Sequence, residues 1–456
     1  MSFDFFLLLT VLTGLIALGA MFFAYYRSQD SFHPLIYLGL LQFALYCYYP
    51  LNLYFQDAFM LAAYLPLQHL EYVQTINLLG VTSLCAGVLS GDKGVRFFKN
   101  SGLRFTLPHI VEQRINQAAI LCGFLGVFAF AFSIINVGGL EAAYGQSYGG
   151  GWDESGYIRE APILTVPALL WLMTTHIRRK LSQFEWGLIF LFATPFLMHG
   201  LLGARRGPTA MVLISLVIGW YLMRFRRPPL SVVITGSVIL GFLMLFLVAN
   251  RNNIYLGSEF NLQTTQSYAT DVGSSNEYIY GGGLIYNTDA KGNYFWGRRY
   301  FTIFFIRPIP RAMWPTKYED ASKMLGIPDL ETNLGTDLES FYETVGWAAP
   351  PGSAPGIIAD MWVEFWWSYL PVLFMIGWLY GMAWRNALTR GGVWIPVYTL
   401  MTSLSVYLVM QTLEAMAFRL LLTVGACWLI WRYGISGLNN QANSYPENLQ
   451  DRNNWN

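Results

Sequence analysis

The chain is short of charge. Of its 456 residues only 12% are Asp, Glu, Lys or Arg, against about 25% in an ordinary globular protein. A soluble chain of this length could not cover its surface with so few ionic groups, and an apolar content of 54% excludes a disordered one. Histidine, with five copies, and cysteine, with four, are also scarce. Cys47, Cys85, Cys122 and Cys427 each stand inside an apolar run, too far apart in sequence for a metal or redox pair, and no disulfide framework is implied. The net charge of +1 excludes a broad polyanion-binding face, and with it nucleic acid as a partner. The sequence has no Walker-type phosphate loop, zinc-protease helix, EF-hand or internal repeat, so neither a metal site nor a cofactor site is expected.

What the chain has instead is long apolar runs. Eleven of them, at about 3–26, 34–55, 72–90, 115–137, 161–176, 184–202, 208–223, 230–249, 357–384, 393–411 and 415–431, come near the ~20 residues that cross a hydrocarbon layer. The first lacks a basic leader and is too long for the core of a signal peptide. Pro162 and Pro167 interrupt the short fifth run, which predicts a tilted or broken span. Period-two alternation is absent, against a β-barrel. The fold class predicted is therefore an all-α polytopic membrane protein of about 11 transmembrane helices. Residues 1–249 hold spans one to eight, 250–356 a large outer loop with interfacial helices, 357–433 spans nine to eleven, and 434–456 a disordered cytoplasmic tail.

Basic residues orient the bundle. Arg27, Lys93, Arg96, Lys99, Arg104, Arg114, Arg178, Arg179, Lys180, Arg224, Arg226, Arg227, Arg385, Arg390 and Arg432 fall in alternate short loops, which are read as cytoplasmic. The opposite short loops hold only Arg159, Arg205 and Arg206. This puts the N-terminus outside and the C-terminus in the cytoplasm. Two outer segments are unusually rich. Residues 138–160 combine seven glycines, four aromatics and four acids, and the aromatic, basic run 294–320 reads as an interfacial or re-entrant segment anchored by Trp296 and Trp314.

Charges at membrane depth cost about 2.5–3.5 kcal/mol each on insertion scales and default to functional hypotheses. Arg205 and Arg206 precede Gly207 and Pro208 at the predicted start of a span, where free backbone N–H groups and guanidinium forks together suit a phosphate or pyrophosphate. A lipid-headgroup contact is the plainer reading. Arg298, Arg299, Arg307 and Arg311 crowd one aromatic patch and fit a polyanionic lipid, while Arg251 closes a span as a site residue or a snorkelling end. Asp360 and Glu364 share one helical face, either as partners of these arginines or as a general base and hydroxyl-binding group. Glu414 and Arg419, five apart in the last hairpin, each face another helix. His199 near a span's outer end is either a hydrogen-bonded structural histidine or a catalytic one. These groups gather at outer helix ends rather than at the midplane where transporters place theirs, and the aromatic outer loops suit sugar rings.

Four motifs, in order, carry a resemblance: GLLGARRGPTAMVL (200–213), FFIRPIPRAMWP (304–315), PGIIAD (355–360) and QTLEAMAFRLLL (411–422). From about residue 115 onward the chain resembles the Wzy-type oligosaccharide repeat-unit polymerases, of the O-antigen and enterobacterial common antigen kind. The resemblance implies a GT-C-like membrane fold shared with O-antigen ligases, in a bacterial inner membrane. It implies a metal-independent membrane glycosyltransferase of lipopolysaccharide-type polysaccharide biosynthesis, acting on undecaprenyl-pyrophosphate-linked oligosaccharide among membrane lipid. Chain-length regulator and flippase proteins would be its partners. The catalytic residues it points to are Arg205, Arg206, Asp360 and Glu414, with Asp360 the first choice of base and Glu414 the second. Arg251, Arg298, Arg299, Arg307, Arg311, Arg419, Glu364 and His199 would bind pyrophosphate or glycan. An O-antigen ligase-like transferase and a lipid-linked oligosaccharide flippase are the alternatives.

Overall fold

The computed structural model describes residues 3–442 apart from 98–106, 147–155, 176–179, 204, 225, 251–252, 258–276, 308, 310–312, 329, 331–336 and 350–352. Every element among the described residues is helical. The first half comprises α1 (Asp4–Ser28), α2 (Pro34–Phe43), α3 (Tyr49–Tyr64), α4 (Leu67–Gly91), α5 (His109–Val137), α6 (Leu140–Tyr144), α7 (Thr165–Thr175), α8 (Gln183–Leu201), α9 (Arg206–Met223) and α10 (Leu230–Ala249). The second half comprises α11 (Glu277–Lys291), α12 (Arg298–Phe301), α13 (Lys317–Leu325), α14 (Leu338–Val345), α15 (Gly356–Phe365), α16 (Tyr369–Thr389), α17 (Trp394–Met410) and α18 (Leu413–Ala442). Among the described residues six helices are long and apolar enough to cross a membrane: Asp4–Ser28, Pro34–Phe59, Leu67–Gly91, His109–Val137, Gln183–Leu201 and Leu413–Ser436. Glu160–Thr175, Arg206–Leu222, Leu230–Met244 and Trp394–Met410 are apolar but shorter. The chain is thus an all-helical protein of the polytopic membrane type.

Among the described residues each apolar run of the sequence falls on helix, but three do not form one uninterrupted α-helix: the short run at 161–176 passes from a 3-10 helix (Gly156–Leu164) into α7, and two others break further. The 34–55 run passes through a π turn (Ala44–Tyr48) between α2 and α3, where the Tyr46 carbonyl accepts from Gln74 Nε2 at 2.9 Å. The 357–384 run, expected as a single span, is two helices. The N–H groups of Phe295 and Trp296 bond the carbonyls of Val363 and Glu364 at 3.1 and 2.7 Å. Those carbonyls would otherwise continue the helix, so α15 ends there, and Trp366 turns the chain at φ 49°, ψ −139°.

The two pieces run in opposite senses along α4. Ile358 packs on Gly80 and the Trp362 ring lies 6.0 Å from that of Tyr72, so α15 climbs toward the start of α4. After the turn, the Tyr369 hydroxyl donates to the Ile76 carbonyl, and α16 descends beside α4. Small residues make this second contact close. A Cβ on Gly87 or Gly91 would stand 2.1 or 2.2 Å from the carbonyl oxygens of Phe374 and Trp378. One on Gly377 or Gly381 would stand 2.2 Å from those of Leu84 and Val88. The spacing GxxxG on both helices permits this backbone-to-backbone approach, and the rising pairs show that α4 and α16 are parallel.

The bundle therefore has a long-loop end, where α1, α4, α9 and α18 begin, and a short-loop end, where α1, α4 and α16 finish. At the long-loop end, α11 is buried in the protein. Its glycines let it sink into the core: Gly281 against the Pro355 carbonyl, Gly282 against Leu65, and Gly283 against Phe341 and Trp347. The tail boundary expected at 434 is also moved, because α18 continues to Ala442; 443–456 lie outside the described residues.

Candidate functional site

Charged side chains meet at the long-loop end in two tiers. The lower tier is closed. Arg299, second after the Gly297 turn and only 8% exposed, bonds Asp360 Oδ1 through Nη2 at 2.7 Å and Glu364 Oε1 through Nε. The second Asp360 oxygen accepts from the Tyr300 hydroxyl at 2.9 Å and from the Leu413 N–H at 3.0 Å. The second Glu364 oxygen accepts from the Gly297 N–H at 2.7 Å. Although burial opposes charge on Arg299, the two carboxylates outweigh it and hold its pKa above the ordinary value. Burial, then the Asp360 carboxylate, push the Tyr300 hydroxyl well up, so it stays protonated and donates. Spacing of four on α15 makes this possible, since both carboxylates project from one face toward the same guanidinium. All four carboxylate oxygens are spent on fastening α12 and the start of α18 to α15.

The upper tier is open. Arg205 caps α9, Arg206 is its first residue and Pro208 stands in its first turn, as the sequence predicts. Gly207 lies so close to the Tyr407 ring that a Cβ there would fall 2.4 Å from its hydroxyl. Tyr407 in turn carries the Arg419 guanidinium 4.7 Å from its ring centroid, a cation–π contact. Arg206 pairs with Glu277 at 2.9 Å, and Arg307 with Glu414 at 3.1 Å and, more loosely, Glu160 at 3.9 Å. Glu414 and Arg419 are therefore not partners of each other; Arg419 donates to the Ala415 carbonyl on its own helix.

Exposure is uneven across these pairs. The Arg206 and Arg307 side chains are 33% and 34% exposed, their partners Glu277 and Glu414 only 9% and 11%. The cations are presented and the anions stand behind them. Glu414 differs from Asp360 in a further respect: Oε1 meets Arg307, while among the described residues Oε2 has no hydrogen-bond partner in the protein.

Other candidates separate. Arg298 is spent on the carbonyls of Phe295, Leu325 and Tyr294 and holds the loop together rather than joining the cluster. His199, buried in the last turn of α8, lies 3.1 Å through Nδ1 from the Tyr144 hydroxyl, and its carbonyl accepts from the Arg205 N–H, so it supports the arginine from behind. Arg251 and Arg311 lie outside the described residues. Glu277, Glu160, Tyr407 and Lys317 were not singled out from sequence. Lys317 is 1% exposed, and its ammonium bonds the carbonyls of Ile306, Arg307 and Ile309, fixing the backbone that carries Arg307. A lysine among loop acids and aromatics gives no such signal. Glu277 opens a glycine-rich helix in a segment without apolar periodicity, and only its packing against Arg206 reveals it.

The cluster can neutralise a multiply charged anion beside a carboxylate with one uncommitted oxygen. Comparison of the chain with protein-family models, with curated proteins and with solved structures gives no match.

Proposed function

We propose that the protein polymerises undecaprenyl-pyrophosphate-linked oligosaccharide repeat units at the outer leaflet of a bacterial inner membrane. The reading takes the eleven apolar runs as a GT-C-like bundle with the long-loop end outside. The observation that carries it is the presentation of Arg206 and Arg307 ahead of their buried carboxylate partners, with Arg205 and Arg419 beside them. Guanidinium forks suit a pyrophosphate. In the reaction, an acceptor hydroxyl oxygen bonds to the anomeric carbon of the growing glycan. The bond from that carbon to the pyrophosphate oxygen breaks, and undecaprenyl pyrophosphate departs with the electron pair. The arginines stabilise the charge that develops on it.

The hydroxyl proton needs an acceptor, and Glu414 suits the task better than Asp360. Its Oε2 is uncommitted, whereas both oxygens of Asp360 are bonded. Asp360 and Glu364 become positioning residues, which keep Arg299, α12 and the start of α18 in place.

A flippase is the second reading, favoured by the half-helix α15, since discontinuous helices are a transporter feature. Purified protein in lipid, given its repeat unit on undecaprenyl pyrophosphate with EDTA and no nucleotide sugar, should produce a ladder of longer glycans. Accumulation of single units alone sinks the polymerase. Their appearance on the far leaflet of sealed vesicles would then establish the flippase.

A further inference from the structure

On α15, residue 362 points about 200° away from residues 360 and 364, so the face opposite the closed ion-pair tier carries Trp362. Its indole Nε1 donates to Asp289 Oδ1 at 2.9 Å, and the Tyr294 hydroxyl donates to the same oxygen at 2.5 Å. Tyr72 and this carboxylate line the same cavity. Among the described residues Asp289 forms no salt bridge, and its hydrogen-bond donors are one phenol and one indole. Beside it opens a cavity of about 300 Å³ lined by His69, Tyr72, Val73, Tyr286, Asp289 and Ala290. That is the small end of the range of about 300–1,000 Å³ for ligand sites, fitting one small ring rather than a chain. Tyr72, at 37% exposed, marks the rim. Trp366 and Trp367 continue the aromatic surface, 5.9 Å from Tyr294 and 5.1 Å from Trp362 respectively.

We propose that this cavity binds one pyranose ring of a glycan, at a site separated from the arginine cluster by the body of α15. The inference rests on the polymerase reading in that the ring belongs to the lipid-linked substrate. The chemistry matches a polyol. Sugar hydroxyls both donate and accept, and among the lining residues Asp289, Tyr72, Tyr286 and His69 are the side chains that can answer them. The apolar C–H face of a sugar packs on aromatic rings. An alkylammonium has no use for the hydroxyls as donors and would need open ring faces, yet the His69 ring already lies 3.9 Å from that of Tyr286.

Saturation-transfer NMR on the full chain in phosphatidylglycerol nanodiscs tests this. The probes are the methyl pyranosides of glucose, galactose, mannose and N-acetylglucosamine, with choline alongside. Transfer to the ring protons of at least one glycoside is expected. Asp289→Asn should weaken it about tenfold, the loss of hydrogen bonds to a charged group, and Tyr72→Ala should remove the rim contact. Tyr72→Phe keeps the ring and the fold, and should weaken binding less than Tyr72→Ala. No transfer to any glycoside, transfer to choline alone, or equal transfer to wild type and all three variants overturns the site. The readout needs no polymerisation. Sugar binding without a glycan ladder keeps the site and removes the polymerase, while a ladder without sugar binding does the reverse.

Discussion

The two ends of the bundle both gather ion pairs, and they use them differently. At the short-loop end, Asp30 is fully buried and accepts from Arg227 Nε at 2.8 Å, from Trp384 Nε1 at 3.0 Å and from the Phe32 N–H at 2.9 Å. Asp92, also buried, takes Arg27, His33 Nε2 at 3.1 Å and the Gly94 N–H at 2.8 Å. These contacts tie the chain after α1 to the ends of α4 and α16 and to the segment after α9, and all four oxygens of the two carboxylates are taken. At the long-loop end, Arg206 and Arg307 keep a third of their surface open. The comparison teaches that a count of ion pairs does not locate a site. What matters is whether the partners exhaust each other. Asp360 illustrates this within the long-loop end itself, since it belongs to the exhausted kind although it lies beside the open one.

The contrast predicts a clean separation of stability from activity, and the largest effect should fall on the clasp. Asp30→Ala strands Arg227 in a buried place, and breaking such a pair costs about 3–5 kcal/mol. Thermal unfolding in detergent should drop sharply, while the surviving folded fraction keeps its rate per molecule. Unchanged unfolding would show that the clasp is not closed.

Next come the presented cations. Arg206→Lys or Arg307→Lys, which keeps a positive charge facing the buried Glu277 or Glu414 but loses the guanidinium fork, should lower the rate of glycan elongation by about 10², with unfolding little changed. A loss of stability as large as that of Asp30→Ala would erase the distinction between the ends.

A third pair of variants sharpens the comparison inside the site. Glu414→Gln should cost about a hundredfold or more in elongation rate at saturating substrate, as removal of a general base does, and should abolish the acidic limb of the pH–rate profile. Asp360→Asn should lower stability and rate yet keep that limb. The reverse pattern would return the base to Asp360.

The smallest effect is a pH dependence at the clasp. His33 Nδ1 accepts from the Leu35 N–H at 3.2 Å and caps α2, so that nitrogen carries no proton and the ring is neutral. Burial lowers its pKa, the hydrogen bond and charge of Asp92 and the charge of Asp30 oppose this, and Arg27 adds to the lowering. The imidazole lies 4.6 Å from the Trp384 ring. A histidine depressed in the folded state contributes stability that is present above about 6.5, the unfolded value, and is lost as pH falls toward the folded one. Unfolding measured between pH 7 and 5, as the usual range of imidazole titration, should show this acid loss. His33→Asn, which retains a cap acceptor, should flatten it.

Much of the fold was legible in the sequence because apolar runs of helix length have few alternatives. The helix starting at Arg205 and Arg206 followed from Gly207 and Pro208, and the common face of Asp360 and Glu364 followed from their spacing. Which role that face plays did not follow, because it depends on Gly297, Tyr300 and Leu413 arriving from distant segments. The break at Trp366 was hidden for the same kind of reason. The run 357–384 carries Asp360, Glu364 and Pro371 but is long enough for one span, and its first helix ends where Phe295 and Trp296 take its carbonyls. Lys317 and Glu277 look like ordinary loop charges until the packing buries them.

By itself the sequence determined the class: too little charge for water, enough apolar length for a bundle, and scarce ionic groups set at helix ends. Those properties are local, fixed by composition and by a period of about 3.6 residues. The tertiary structure decided which of the scarce charges cancel and which remain presented. Cancellation requires two groups within a few ångströms, and in this chain the partners stand as far apart as Arg206 and Glu277, or Arg307 and Glu414. Only the folded path of the backbone brings them together.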